Sequence, residues 1–149
     1  AIGGTWLLFL PNAPYIVTDL IHLPEWGGQP LWYDATMYIG FAWTGLMLGL
    51  VSLYLVHRAV RTAWGATAGW TVAGSAAVLT GVGIYLGRFL RWNSWDIVTQ
   101  PTAVVGDLAR IVVNPLGTPA AITAIFAAFF AVMYLAMYAF AELRSDPVL

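Results

Sequence analysis

The chain has 149 residues, of which 60% are hydrophobic and 9% are charged, and its mean hydropathy is +0.78. Soluble domains carry about 25% charged residues, and a chain of this length cannot bury so much apolar surface, so we expect lipid as its solvent. A net charge of −1 argues against a nucleic-acid-binding protein, and the absence of cysteine excludes disulfides, thiolate metal ligands and cysteine nucleophiles.

The first segment of the chain is apolar but interrupted by prolines. Residues 2–10 are too few to cross a bilayer, which takes about 20 residues. Pro11 and Pro14 then disfavour helical geometry in the residues before them. We therefore predict a broken helix over residues 1–23. Because the apolar run begins at residue 1, we also expect further membrane segments upstream.

Three later stretches carry almost no charge and are long enough to cross a bilayer. We predict these spans at about residues 36–57, 68–90 and 119–141. Asp34 fits the N-cap of the first span, and His57 fits a cap at its C-terminus. The short connection between the first two spans makes them antiparallel neighbours.

Between the second and third spans, residues 102–113 place apolar side chains on one helix face and predict a short helix lying in the membrane interface. The predicted fold class is all-α: a polytopic membrane helix bundle with three full spans, a proline-broken N-terminal segment and one interfacial amphipathic helix. We treat residues 1–149 as a single transmembrane domain.

Two glycine pairs have the four-residue spacing that lets another helix approach closely, Gly45 with Gly49 and Gly83 with Gly87. A bundle of three spans is too small to cover all of these close-packing faces with its own helices. We therefore expect contacts with other membrane subunits through these faces.

Seven polar residues map to one side of the membrane in this topology: Asp19, His22, Asp34, Arg88, Arg91, Asn93 and Asp96. Ionisable groups at membrane depth are costly unless they are paired, so we expect these residues to converge in one cluster. In one interpretation the cluster is a structural clamp of arginine–aspartate pairs. In another it keeps an arginine free for an anionic lipid phosphate or a partner group. Proton transfer or catalysis by Asp19 or Asp96 with His22 is a third possibility, and we assign no catalytic residue.

The sequence implies no metal or other cofactor. The two arginines oppose a cation bound by the neighbouring acids. His22 and His57 fall at opposite ends of their elements, so they cannot flank one haem or chlorophyll, and single axial ligation by His22 is the arrangement that stays open. Four tryptophans near the polar cluster favour an aromatic belt, with a sugar or lipid-headgroup platform as the alternative: Trp26, Trp32, Trp92 and Trp95.

Five stretches carry a family resemblance: residues 10–23 (LPNAPYIVTDLIHL), 31–34 (LWYD), 40–45 (GFAWTG), 52–57 (SLYLVH) and 83–96 (GIYLGRFLRWNSWD). In this order they resemble a bacterial family of membrane proteins known as domain of unknown function 1361. The family commonly has an asparagine where this chain has Thr44. The resemblance implies a membrane architecture with further upstream segments, and it implies no activity because the family has none assigned.

Together these observations predict an integral protein of the bacterial cytoplasmic membrane, with the His57 side and the C-terminus in the cytoplasm. Its polar cluster is expected to be a binding or structural module for an anionic lipid or a partner group, rather than an enzyme site. One alternative is an accessory subunit of a larger energy-transducing or photosynthetic membrane complex. Another is an intramembrane enzyme or transporter for a lipid-linked substrate. The expected partners are membrane lipid and possible membrane subunits, not nucleic acid.

Overall fold

A computed structural model describes residues 2–18 and 30–143. Within these ranges the regular elements are all helices. In chain order they are α1 (Ile2–Phe9), α2 (Asn12–Tyr15), α3 (Leu31–Trp64), α4 (Ala66–Arg88), α5 (Asp96–Thr99), α6 (Pro101–Val113) and α7 (Thr118–Leu143).

Three of these helices are long and apolar enough to cross a membrane: α3 with 34 residues, α4 with 23 and α7 with 26. The predicted all-α class with three potential spans is confirmed. A bilayer core offers the backbone no hydrogen-bond partner, and a helix satisfies those groups internally, so helical geometry suits apolar segments of this length.

The turn between α3 and α4 consists of one residue, Gly65, whose φ of 90° and ψ of 171° lie in a region essentially reserved for glycine. The turn folds α4 back along α3 as an antiparallel neighbour. Helix α3 continues seven residues beyond His57, to Trp64. The expected role of His57 as a C-terminal cap is therefore wrong, because the backbone around it is fully helical and its side chain is buried within the bundle.

Small residues on α4 let the other two long helices approach it. A Cβ added to Gly81 would lie 2.4 Å from the Thr123 carbonyl oxygen of α7, so the two backbones are nearly in contact. The core is formed where alanines of α4 meet larger side chains of α3 and α7, and Leu50, Leu53 and Phe130 are fully buried there. In the resulting bundle α3 and α7 run parallel and α4 runs against both.

The proline-broken N-terminal segment packs on α3 through one of the predicted glycine pairs. A Cβ on Gly45 would lie 2.7 Å from the carbonyl oxygen of Ala13, and one on Gly49 would lie 2.9 Å from the Ala13 Cβ. Farther along, the Trp6 indole N–H donates a 2.8 Å hydrogen bond to the Ser52 hydroxyl. Helix α1 therefore runs antiparallel to α3 along its middle.

The same segment also contacts α4 through the second glycine pair. A Cβ on Gly83 would lie 2.6 Å from Pro11 Cγ, and one on Gly87 would lie 3.1 Å from the Tyr15 ring. The chain's own residues thus cover both predicted glycine faces, because the break between α1 and α2 brings the backbone of residues 11–15 between α3 and α4. Contact with other membrane subunits stays a prediction, but these two faces are already occupied within the chain.

Candidate binding cavity

A cavity of about 750 Å³ lies at the end of the bundle where α4 stops. Its walls come from the end of α1, from α2, from the last turn of α4 and from residues 89–95. Its polar lining consists of Asn12, Tyr15, Arg88, Arg91, Asn93 and Ser94. The described lining includes two arginines and no carboxylate, and Arg88 has an interaction partner of its own.

Arg91 has an unusual backbone conformation on the wall of this cavity. Its φ is 60°, in the left-handed region that costs a non-glycine residue about 1–2 kcal/mol. This conformation reverses the chain after α4, and the Trp92 amide then donates to the Leu86 carbonyl at 3.0 Å. The Arg91 side chain is exposed and has no hydrogen bond or ion pair with the described residues. Its guanidinium is therefore available to a ligand.

Trp92, beside Arg91, is held by the carboxylate of Asp107, which is not one of the seven residues of the predicted cluster. The Trp92 indole N–H donates to Asp107 Oδ2 at 2.9 Å, and the Arg110 guanidinium donates to Asp107 Oδ1 at 2.9 Å. The Asp107 side chain is only 16% exposed, so both oxygens are engaged away from bulk water. This contact ties α6 to the cavity wall. The i, i+3 spacing of Asp107 and Arg110 indicates only the pair that these two residues form with each other.

Asp96 acts locally rather than in the cavity. Its Oδ2 accepts from the Asn93 backbone N–H at 2.7 Å, and its Oδ1 accepts from the Thr99 hydroxyl at 3.3 Å. Both bonds connect Asp96 to residues within three positions of it, at the start of α5. The carboxylate therefore shapes the loop that carries Asn93 and does not line the cavity.

The structure brings Arg88, Arg91 and Asn93 of the predicted cluster to one cavity. Asp34 lies apart: it is half-buried in the first turn of α3 and forms neither a hydrogen bond nor an ion pair with residues of the described ranges. Asp19 and His22 lie outside the described residues. The convergence of all seven residues stays a prediction.

Two of the four predicted interface tryptophans line the cavity, Trp92 and Trp95. The Trp95 ring meets Phe9 of α1 edge-on, with the ring centroids 5.9 Å apart. Trp32 is exposed at the start of α3, with Tyr33 edge-on to it. Trp26 lies outside the described residues. The aromatic side chains give the cavity an apolar rim at the end of the membrane-length helices.

A second polar cluster, at the opposite end of the bundle, surrounds His57. Its ring is fully buried, and Nδ1 lies 2.5 Å from the Tyr134 hydroxyl of α7. Tyr138 stacks on the same ring at a centroid distance of 5.3 Å, and Trp70 of α4 meets it edge-on at 4.7 Å. The one-turn spacing of the two tyrosines was visible in the sequence, but nothing in it pointed to His57. We call His57, Trp70, Tyr134 and Tyr138 the aromatic cluster.

The aromatic cluster leaves no room for a ligand. A Cβ on Gly69 would lie 2.9 Å from His57 Nε2, so the backbone of α4 already covers that nitrogen. The Tyr138 hydroxyl accepts a hydrogen bond from Arg61, which also faces Glu142 at 3.9 Å. Within residues 2–18 and 30–143, no three His, Cys, Asp or Glu side chains lie together as metal ligands would. The packing around His57 indicates a structural contact between the three long helices.

Residues 1–138 match the model of a family described as "Protein of unknown function (DUF1361)". Comparisons with curated proteins and with solved structures find no match. The family match includes all five stretches on which the resemblance was based, so that resemblance is confirmed.

Proposed function

The chain belongs to the DUF1361 family, and we propose that it binds the headgroup of an anionic membrane lipid in the cavity at the end of α4. The family description assigns no activity, so the proposal depends on the cavity itself. Its volume, about 750 Å³, lies within the range of about 300–1,000 Å³ that small-molecule sites occupy.

The observation that carries the proposal is the exposed guanidinium of Arg91 on a cavity wall that, over the described residues, has no carboxylate. A guanidinium matches the geometry of a phosphate with two parallel hydrogen bonds. The side-chain amides of Asn12 and Asn93 supply further donors at the same cavity. An anionic group with several oxygens satisfies this set of donors better than a neutral or cationic one.

The position of the cavity favours a lipid as the source of that anion. Arg91 follows directly on a helix of membrane length, at the level where Trp92 and Trp95 gather. Tryptophan at this level is typical of the membrane–water interface, and interfacial arginines attract anionic headgroups.

The proposal is tested with Arg91→Gln. The purified variant and the parent protein are incubated with phosphatidylglycerol or phosphatidylcholine in detergent, and lipid retention is measured by native mass spectrometry. We expect the parent to prefer phosphatidylglycerol. The variant should retain about fivefold less of it, because one arginine near a headgroup contributes about 1 kcal/mol, and 1.36 kcal/mol is tenfold.

Arg110→Gln is the matched control, because it removes the same charge from the same end of the bundle while the glutamine amide can still donate to Asp107. Arg110 is 79% exposed and does not line the cavity. We expect it to keep the parent's retention. An equal loss of phosphatidylglycerol retention in both variants would show that the overall positive charge at this end of the bundle attracts the lipid. That result would overturn the cavity as the binding site.

The two alternatives, an accessory subunit of a larger membrane complex and an intramembrane enzyme or transporter for a lipid-linked substrate, stay predictions. Migration of the purified protein alone and monodisperse in mild detergent would count against the subunit.

A further inference from the structure

A second concave surface lies between α1 and α3, on the outside of the bundle. It is an open groove of about 560 Å³, lined by Trp6, Phe9, Leu10, Leu48, Gly49 and Ser52 among others. Two of its polar groups are already paired, because the Trp6 indole N–H donates a hydrogen bond to the Ser52 hydroxyl. The wall that remains is mostly hydrocarbon and aromatic.

The groove and the cavity at the end of α4 adjoin each other at one residue. Phe9 lines both, and its ring is packed edge-on against Trp95 of the cavity. From Leu48 to Ser52 the groove follows α3 for one turn, about 6 Å, toward the His57 end. The groove therefore extends from Phe9, at the edge of the cavity, toward the middle of the membrane-length helices.

We propose that this groove holds one hydrocarbon chain of the lipid whose anionic headgroup lies in the cavity. The inference depends on the proposed function, and it adds the class of ligand: a long-chain anionic amphiphile that enters with its headgroup at Arg91 and one chain past Phe9. A polar or short-chain ligand would leave the groove without an occupant of matching chemistry.

The groove contributes to binding by restraining the hydrocarbon chain rather than by hydrophobic affinity. Lipid tails are as apolar as the groove wall, so moving a chain from bilayer to groove brings little hydrophobic gain. Packing along α1 and α3 instead restrains the chain, which keeps the attached phosphate beside the guanidinium of Arg91. We therefore expect an effect of a few-fold on retention, smaller than that of losing the arginine.

Leu48→Trp tests the groove by filling it. Leu48 lines the groove and is 65% exposed, so a larger side chain has space to enter. Leu55→Trp is the matched control: Leu55 is 61% exposed, lies two turns along the same face of α3 and is outside the groove. Each variant is loaded with dioleoyl phosphatidylglycerol and, separately, with dihexanoyl phosphatidylglycerol, and retention is measured by native mass spectrometry.

We expect Leu48→Trp to reduce retention of the dioleoyl lipid about threefold and to leave the dihexanoyl lipid unchanged, while Leu55→Trp changes neither. Equal retention of the dioleoyl lipid in the two variants would overturn the groove and leave the headgroup site standing. A parent protein that does not distinguish phosphatidylglycerol from phosphatidylcholine would instead overturn the proposed function, whatever the variants do.

A measurement on the parent protein tests the groove even if the Leu48→Trp variant misfolds. Phosphatidylglycerol with a diazirine midway along one acyl chain is photolysed on the parent protein, and the labelled peptides are identified by mass spectrometry. Label on α1 near Trp6 or on α3 near Leu48 supports the groove. Label concentrated on the outer faces of α4 or α7 would overturn it.

Discussion

At one end of the bundle His57 is buried between α3, α4 and α7, and at the other Arg91 lies exposed on the wall of a cavity. Both ends combine basic residues with tryptophan and tyrosine. Around His57 a hydroxyl, two stacked or edge-on rings and the backbone of Gly69 fill the surrounding space. Around Arg91 the chain reverses through a strained residue and leaves about 750 Å³ open.

The comparison teaches that a concentration of polar and aromatic residues does not identify a binding site by itself. Glycine on a neighbouring helix closes the His57 end, since without a side chain at Gly69 the α4 backbone reaches the imidazole. At the Arg91 end two carboxylates of the described residues are engaged elsewhere, with Asp96 bonded to its own loop and Asp107 to Trp92 and Arg110. Space and an available charge, rather than composition, distinguish the two ends.

His57→Ala should have the largest effect on stability and none on lipid binding. Its ring contacts Trp70, Tyr134 and Tyr138, so the truncation leaves a cavity and a buried Tyr134 hydroxyl without its partner. We expect the free energy of unfolding in detergent, from a denaturant titration, to fall by about 3–5 kcal/mol. Reduced lipid retention by the folded variant, at unchanged stability, would contradict the assignment of a structural role to this end.

Gly69→Ala should have an intermediate effect. The new Cβ would meet His57 Cδ2 at 2.7 Å, and the buried ring has no free space to move into. We expect a loss of about 1–3 kcal/mol in the same titration. Gly74→Ala is the control on the same helix, because nothing lies within 4 Å of its added Cβ, and it should gain about 0.5–1 kcal/mol from helix propensity. Similar changes in the free energy of unfolding for the two variants would mean that the α4 backbone does not pack closely against His57.

Arg91→Gly should have the smallest effect on stability, and of the opposite sign. Glycine adopts a φ of 60° without strain, so we expect stability without lipid to rise by about 1 kcal/mol while phosphatidylglycerol retention falls. The two readouts separate a ligand-binding arginine from a structural one. A fall in stability would show that the guanidinium holds the fold together and would favour the clamp interpretation.

Three residues of the predicted cluster line the cavity, but the sequence did not indicate the residues that shape it. Arg88, Arg91 and Asn93 were identified because charge so close to a membrane helix is rare enough to stand out. Asn12 and Tyr15 were missed as lining residues, because their place depends on how the proline-broken segment enters between α3 and α4. The bond between Trp92 and Asp107 joins residues 15 positions apart across two separate elements, and no local spacing indicates it.

The composition and hydropathy of the chain were enough to establish the all-α membrane class and its three helices of membrane length, since the ability to cross a bilayer is a property of about 20 consecutive residues. The fold alone decided that His57 is enclosed, that Arg91 faces open space and that Asp96 and Asp107 are engaged elsewhere. Hydrogen bonds and ion pairs depend on distances of about 3 Å and on the rotation of each helix, and those quantities arise only when the helices pack against one another.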